Sequence, residues 1–220
     1  MNLPNRLTIF RILIVPIMII VYYIPWLGRN YVFSYTVDGA VHGLNWMCFI
    51  ELLIFAIASI TDFLDGKIAR KFNLVTNFGK FLDPLADKIL VFAAMTIIMV
   101  AHDKGFLPDG KLPNGLLLPV WVFIVILIRE FAVSGIRMVA ATNGETIAAG
   151  KSGKAKTFVT MIALIVLFLC GLHDSLIYIG QVLIYIACLL TVISGVQYFV
   201  YGKKYLFEAK EKEEAKEENE

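Results

Sequence analysis

Four aspartates in this chain, Asp62, Asp65, Asp83 and Asp87, are spaced so that they can act together. Asp62 and Asp65 are three residues apart, and Asp83 and Asp87 four, so on helices each pair shares one face. The turn between the pairs is short enough to make their helices antiparallel neighbours, and the two faces can then converge on one pocket. Ionised carboxylates in a low-dielectric site repel one another, at a cost on the order of several kcal/mol for each left unpaired. Either some are protonated or cations neutralise them. All-oxygen ligands select hard divalent ions such as Mg²⁺ or Mn²⁺. Four carboxylates suffice for two such ions with positions left open for phosphate oxygens, and two-ion clamps of this kind serve phosphoryl displacement.

The residues around the acids suit the same chemistry. Gly66 and Ala69 follow Asp65 by one and four positions and leave room for a flat ligand against the helix. Gly79 stands one turn before Asp83 and does the same on the facing helix. Arg70 adds a fixed positive charge for a phosphate oxygen. A second set of polar residues interrupts a later apolar stretch: Arg129, Glu130, Ser134 and Arg137, followed by Gly153, Lys154, Lys156 and Thr157. Arg129 and Arg137 are eight residues apart, about 80° around a helix, so both can line one cavity. A basic pocket beside a metal site suits an acceptor that carries its own phosphate, and Arg129, Arg137 and Lys154 are its candidate ligands.

The elements that position these groups are apolar helices. The chain has 220 residues, 59% of them hydrophobic, and a mean hydropathy of +0.75, beyond the range of soluble domains. Six stretches approach the roughly 20 apolar residues a bilayer core requires: Leu7–Leu27, Leu44–Leu64, Phe81–Ala101, Leu116–Ala141, Thr157–Gly171 and Ser175–Tyr201. The first lacks a small-residue cleavage site and is followed by similar runs, so it does not read as a signal peptide. The expected architecture is an all-α polytopic membrane protein of six transmembrane helices behind a short N-terminal interfacial segment, with Arg6 and Arg11 as anchors. Residues 1–206 form the membrane domain and 207–220 a charged, solvated tail.

Lysine and arginine set the orientation. Arg6, Arg11, Lys67, Arg70, Lys71, Lys80, Arg137, Lys151, Lys154, Lys156 and the tail lysines fall on one side; Arg29, Lys104 and Lys111 fall on the other. Both termini and the aspartates are therefore expected in the cytoplasm. Tyr22, Tyr23, Trp26, Tyr31, Tyr35 and Trp46 flank the outer face. The net charge of +2 gives no footing for nucleic acid. Cys48, Cys170 and Cys188 share no metal-type spacing and read as small apolar residues. Glu51, about 16 Å from Asp62 along a helix, is too far for the metal site and is expected near the outer interface or paired across helices.

The pattern D-x2-D-G-x2-A-R-x8-G-x3-D-x3-D, met here by Asp62, Asp65, Gly66, Ala69, Arg70, Gly79, Asp83 and Asp87, resembles the signature of the CDP-alcohol phosphotransferases. The resemblance implies a six-helix membrane fold with a cytoplasm-facing site, a homodimer, two divalent metals on the four aspartates, Asp87 as general base, and release of CMP. The N-terminal Asn2–Arg11, the Arg129-Glu130 pair with Arg137, and Gly153-Lys154-x-Lys156-Thr157 are similar to the branch whose acceptor is glycerol 3-phosphate and whose donor is CDP-diacylglycerol. Two alternatives stand beside this reading. One is the same chemistry with an inositol phosphate, serine or phosphatidylglycerol acceptor. The other is a cation transporter using the aspartates as its ion site.

Overall fold

A computed structural model describes the backbone of residues 3–37, 40–71, 77–108, 116–142 and 150–217; within these, side chains are described except at 3–7, 37, 40–41, 62–71, 77–84, 141–142, 151 and 201–217. The described chain is mostly helical: α1 Leu3–Tyr22, α2 Pro25–Arg29, α3 Trp46–Lys71, α4 Asn77–Asp103, α5 Val120–Thr142, α6 Lys151–Phe168 and α7 Asp174–Glu217. Five of the six predicted apolar stretches each fall mainly on one helix, and the first covers α1 and α2. Among the described residues, Leu85–Asp103 and Asp174–Val200 are long and apolar enough to cross a membrane, and Thr8–Tyr22 and Trp46–Thr61 are shorter apolar helices.

Two local departures from the predicted spans have clear causes. The first predicted span, Leu7–Leu27, is not one helix. Pro25 disfavours the helical region for the residue before it, and Ile24 is extended at φ −87°, ψ 101°. Pro25 then opens α2, where a missing N–H costs nothing. The second departure corrects the all-α expectation. Strands β1 Tyr31–Val37 and β2 Ala40–Asn45 form an antiparallel hairpin, with Tyr35 opposite His42 and Val37 opposite Ala40. Tyr31, Phe33 and Tyr35 alternate with Val32, Ser34 and Thr36, a period-two run rich in β-formers. The dipeptide between the strands, Asp38-Gly39, is a sequence favoured in two-residue hairpin connections.

The chain divides into two compact units, residues 1–120 with 161–183, and residues 121–160 with 184–220. In the first, α1 packs along both α3 and α4, and α3 touches α4 more sparingly. Met18, Met47, Phe55, Ala58, Leu90, Ala94, Met95 and Ile98 are buried there, and Phe55 meets the ring of Phe168. Ala58 and Ala94, both fully buried, allow the close helix approach on which packing in lipid depends. In the second unit Ile126, Val133, Ile136, Ile184, Ala187 and Tyr198 are buried. Large apolar side chains such as Leu13, Ile20, Ile60, Ile128, Phe158 and Val200 point outward. Apolar surface on that scale suits a lipid surrounding. All three cysteines are free and buried.

One helix, α7, carries through the point where the composition turns from apolar to charged, continuing to Glu217. Among the described residues Glu51 has no partner across helices. It is fully buried, and neither carboxylate oxygen makes a hydrogen bond among the described residues.

Candidate active site

Asp62, Asp65, Gly66, Ala69 and Arg70 all lie on α3, and Gly79, Asp83 and Asp87 on α4. The helical backbone keeps Asp62 with Asp65, and Asp83 with Asp87, on shared faces. The side chains of these residues fall outside the described ones, with the exception of Asp87. The meeting of the four carboxylates therefore lies outside the described residues too. Among the described residues no three His, Cys, Asp or Glu side chains gather as a metal site.

Asp87 has an unforeseen neighbour. Arg11 crosses from α1 and donates from Nη1 to Oδ1 of Asp87. The arginine is 1% exposed and the aspartate 44%. Arg11 is thus no interfacial anchor, which corrects its reading from the sequence. A signal for it was present: an arginine inside an apolar helix is a functional candidate by default, because burying its charge is costly. The helix that brings it there, α1, is also the one that packs along both α3 and α4.

The basic residues of the second unit form a cluster of their own. Arg129 donates from Nη1 to Glu130 Oε1 at 2.7 Å and from Nη2 to Ser194 Oγ at 2.6 Å. Lys156 Nζ donates to the same Glu130 oxygen. The guanidinium carbons of Arg129 and Arg137 sit 5.5 and 5.6 Å from the centre of the Tyr198 ring, within cation–π reach. Tyr198 is held from its other end, its hydroxyl accepting from the backbone N–H of Gly150 at 3.1 Å. On α7, Gly195 makes room for the arginine, since a Cβ there would approach Arg129 Cγ to 3.0 Å.

Of the predicted acceptor residues, Arg129 and Arg137 come together around Tyr198, while Lys154 is exposed on α6. Lys156, read from the sequence both as part of the basic pocket and as cytoplasmic charge, is buried and ion-paired. Tyr198 and Ser194 were not anticipated. They stand in the apolar run of α7, where no local pattern separates them from packing residues.

A sequence profile described as CDP-alcohol phosphatidyltransferase matches residues 1–193. The chain belongs to that family. The match takes in the aspartates, Arg11, Arg129, Glu130, Arg137, Lys154 and Lys156, and stops just short of Ser194 and Tyr198. Individual CDP-alcohol phosphatidyltransferases are similar over nearly their whole length. The chain is 44% identical over 202 residues to the CDP-diacylglycerol–glycerol-3-phosphate 3-phosphatidyltransferase of Bacillus subtilis (strain 168), covering 90% of this chain and 93% of the relative. It is 36% identical over 208 residues to the enzyme of that name from Rickettsia felis, covering 93% and 97%. For the Haemophilus influenzae enzyme of that name the figures are 35% over 212 residues, 94% and 96%. The apolar helices and these relatives together point to a membrane protein.

Proposed function

We propose that this protein transfers the phosphatidyl group of CDP-diacylglycerol to glycerol 3-phosphate, giving phosphatidylglycerophosphate and CMP. The observation that carries the reading is its full-length similarity to enzymes named for that reaction. The cluster around Tyr198 supports the choice of acceptor, since three cations and a single carboxylate gather there among the described residues. A cationic cluster of this kind suits an acceptor bearing its own phosphate better than it suits serine. Family membership removes the reason to read the aspartates as a transporter's ion site.

The residues fit two divalent ions. Their donors are all carboxylate oxygens, which suits Mg²⁺ or Mn²⁺, and Asp87 already draws a cation in the form of Arg11. Asp62, Asp65, Asp83 and Asp87 would hold the ions, whose bound charge would neutralise the diphosphate and the leaving CMP. Arg70 takes a phosphate oxygen, and Gly66, Ala69 and Gly79 leave space for the nucleotide. Arg129, Arg137 and Lys154 orient the acceptor phosphate. Asp87 accepts the proton of the primary hydroxyl. The alcohol oxygen then attacks the phosphorus that carries the diacylglycerol, and the bond to the bridging oxygen breaks to release CMP.

In this reading the helices α1, α3, α4, α5, α6 and α7 make six crossings, with both termini and the site in the cytoplasm, 207–220 as a cytoplasmic tail, and the protein as a homodimer in the cell membrane. The test is CMP release by purified protein given CDP-diacylglycerol and Mg²⁺ or Mn²⁺. Release is expected when glycerol 3-phosphate is added, and it is expected to stop on chelation and resume on metal addition. Release driven instead by inositol phosphate, serine or phosphatidylglycerol would reassign the acceptor.

A further inference from the structure

A half-open cavity of about 600 Å³ lies at the other end of α1 and α4 from the Arg11–Asp87 contact. Lys104, on its wall, is seventeen residues beyond Asp87, about 25 Å at the helical rise. The cavity is lined by Tyr22, Tyr23, Arg29, Tyr31, Lys104 and Phe106, and by no carboxylate. None of these residues has a part in the reaction proposed above.

The wall is shaped by two glycines. A Cβ on Gly28 would stand 2.6 Å from the Phe106 ring, so α2 closes on that ring because residue 28 has no side chain. Gly105, at φ +70°, turns the chain after α4 in a conformation that other residues resist, setting Lys104 and Phe106 on the cavity. The Lys104 ammonium lies 4.8 Å from the Tyr22 ring centre and 5.5 Å from that of Tyr23. Two aromatic faces thus hold the cation in place without neutralising it. Among the described residues no carboxylate pairs with Arg29 or Lys104. Tyr22 is buried and meets the ammonium with its ring face. Aromatic residues at a membrane interface explain exposed Tyr23 and Tyr31. They do not explain two cations gathered on one cavity with no carboxylate in its lining.

An ammonium and a guanidinium around one space, with no carboxylate in the lining, call for an anion with several acceptor oxygens. The volume falls within that of small-molecule sites. We propose that this cavity binds a phosphate anion, carried either by an anionic lipid headgroup or free in solution. The lipid is the expected source on the membrane topology proposed above, since about 25 Å along the helix from Asp87 approaches the roughly 30 Å depth of a bilayer core.

The experiment uses the full chain in phosphatidylcholine nanodiscs and follows the thermal midpoint in two arms. One arm adds phosphatidylglycerol to the disc lipid, and the other titrates inorganic phosphate into the buffer. The wild type should be stabilised in one arm, which names the source. Arg29→Gln with Lys104→Gln should lose most of that gain, and Lys104→Arg should keep it. Stabilisation in neither arm, or equal stabilisation of wild type and the double variant, overturns the proposal.

Discussion

The Arg11–Asp87 contact and the Arg129–Glu130–Lys156 cluster are both ion pairs in apolar surroundings, yet they bury different partners. In the first unit the cation is sealed at 1% exposure while its acid stays open at 44%. In the second, Arg129, Glu130 and Lys156 are all between 7 and 16% exposed. The open acid can still meet a substrate hydroxyl or a metal ion. The closed cluster cannot rearrange cheaply, because each member holds another's charge in place. One region therefore leaves a carboxylate partly open, and the other fixes its charges in place. In the function proposed above, the first would take the proton and the second would hold the acceptor phosphate.

The largest effect expected from breaking this contrast is at the open acid. Asp87→Asn keeps an Oδ1 acceptor for Arg11 but removes the charge that offsets the buried guanidinium, so the purified protein should still fold and melt at a lower temperature than the wild type. Without the carboxylate, CMP release should fall about 10³-fold. Full turnover in this variant would end the assignment of Asp87 as base. The closed cluster should show its importance in stability instead. Glu130→Leu leaves two buried cations without their shared anion, and thermal unfolding in detergent should report a loss of about 3–5 kcal/mol. An unchanged midpoint would mean that the cluster relaxes as easily as the open site.

A smaller effect separates the two regions by substrate. Arg137→Ala should raise KM for glycerol 3-phosphate about tenfold, the loss of one charge-assisted hydrogen bond, and leave KM for CDP-diacylglycerol where it was. If both constants move alike, the basic cluster does not belong to the acceptor. The smallest change concerns Glu51, the buried acid that neither region uses. Its oxygens have no hydrogen-bond partner among the described residues, so Glu51→Gln should shift stability by no more than about 1 kcal/mol. A larger loss, measured by the same unfolding assay, would show that its charge is in use.

Much of this organisation was legible in the residues. Helix-length apolar runs located α1 and α3 to α7, and the spacing of the acids put Asp62 with Asp65 and Asp83 with Asp87 on shared helix faces. The eight-position pattern named the family that the profile and the full-length relatives then bore out. Arg129 and Arg137 were expected on one cavity, and both reach Tyr198. The hairpin was missed because a hydropathy window long enough to find a span averages over a seven-residue strand. The break at Ile24 was missed because the apolar run continues through Pro25 while the backbone does not.

Composition and periodicity act within a segment of chain, so the sequence by itself determined the apolar helices, their order and the facing of acids along each one. Partnerships between residues far apart are set by which helix packs on which, and no local pattern encodes that. Only the tertiary structure decided that Arg11 spans 76 positions to Asp87, that Lys156 and not its exposed neighbour Lys154 shares Glu130 with Arg129, and that Tyr198 stands under two arginines. A charge in an apolar helix must find a partner, but the requirement does not say which one. The packing of the helices selects it.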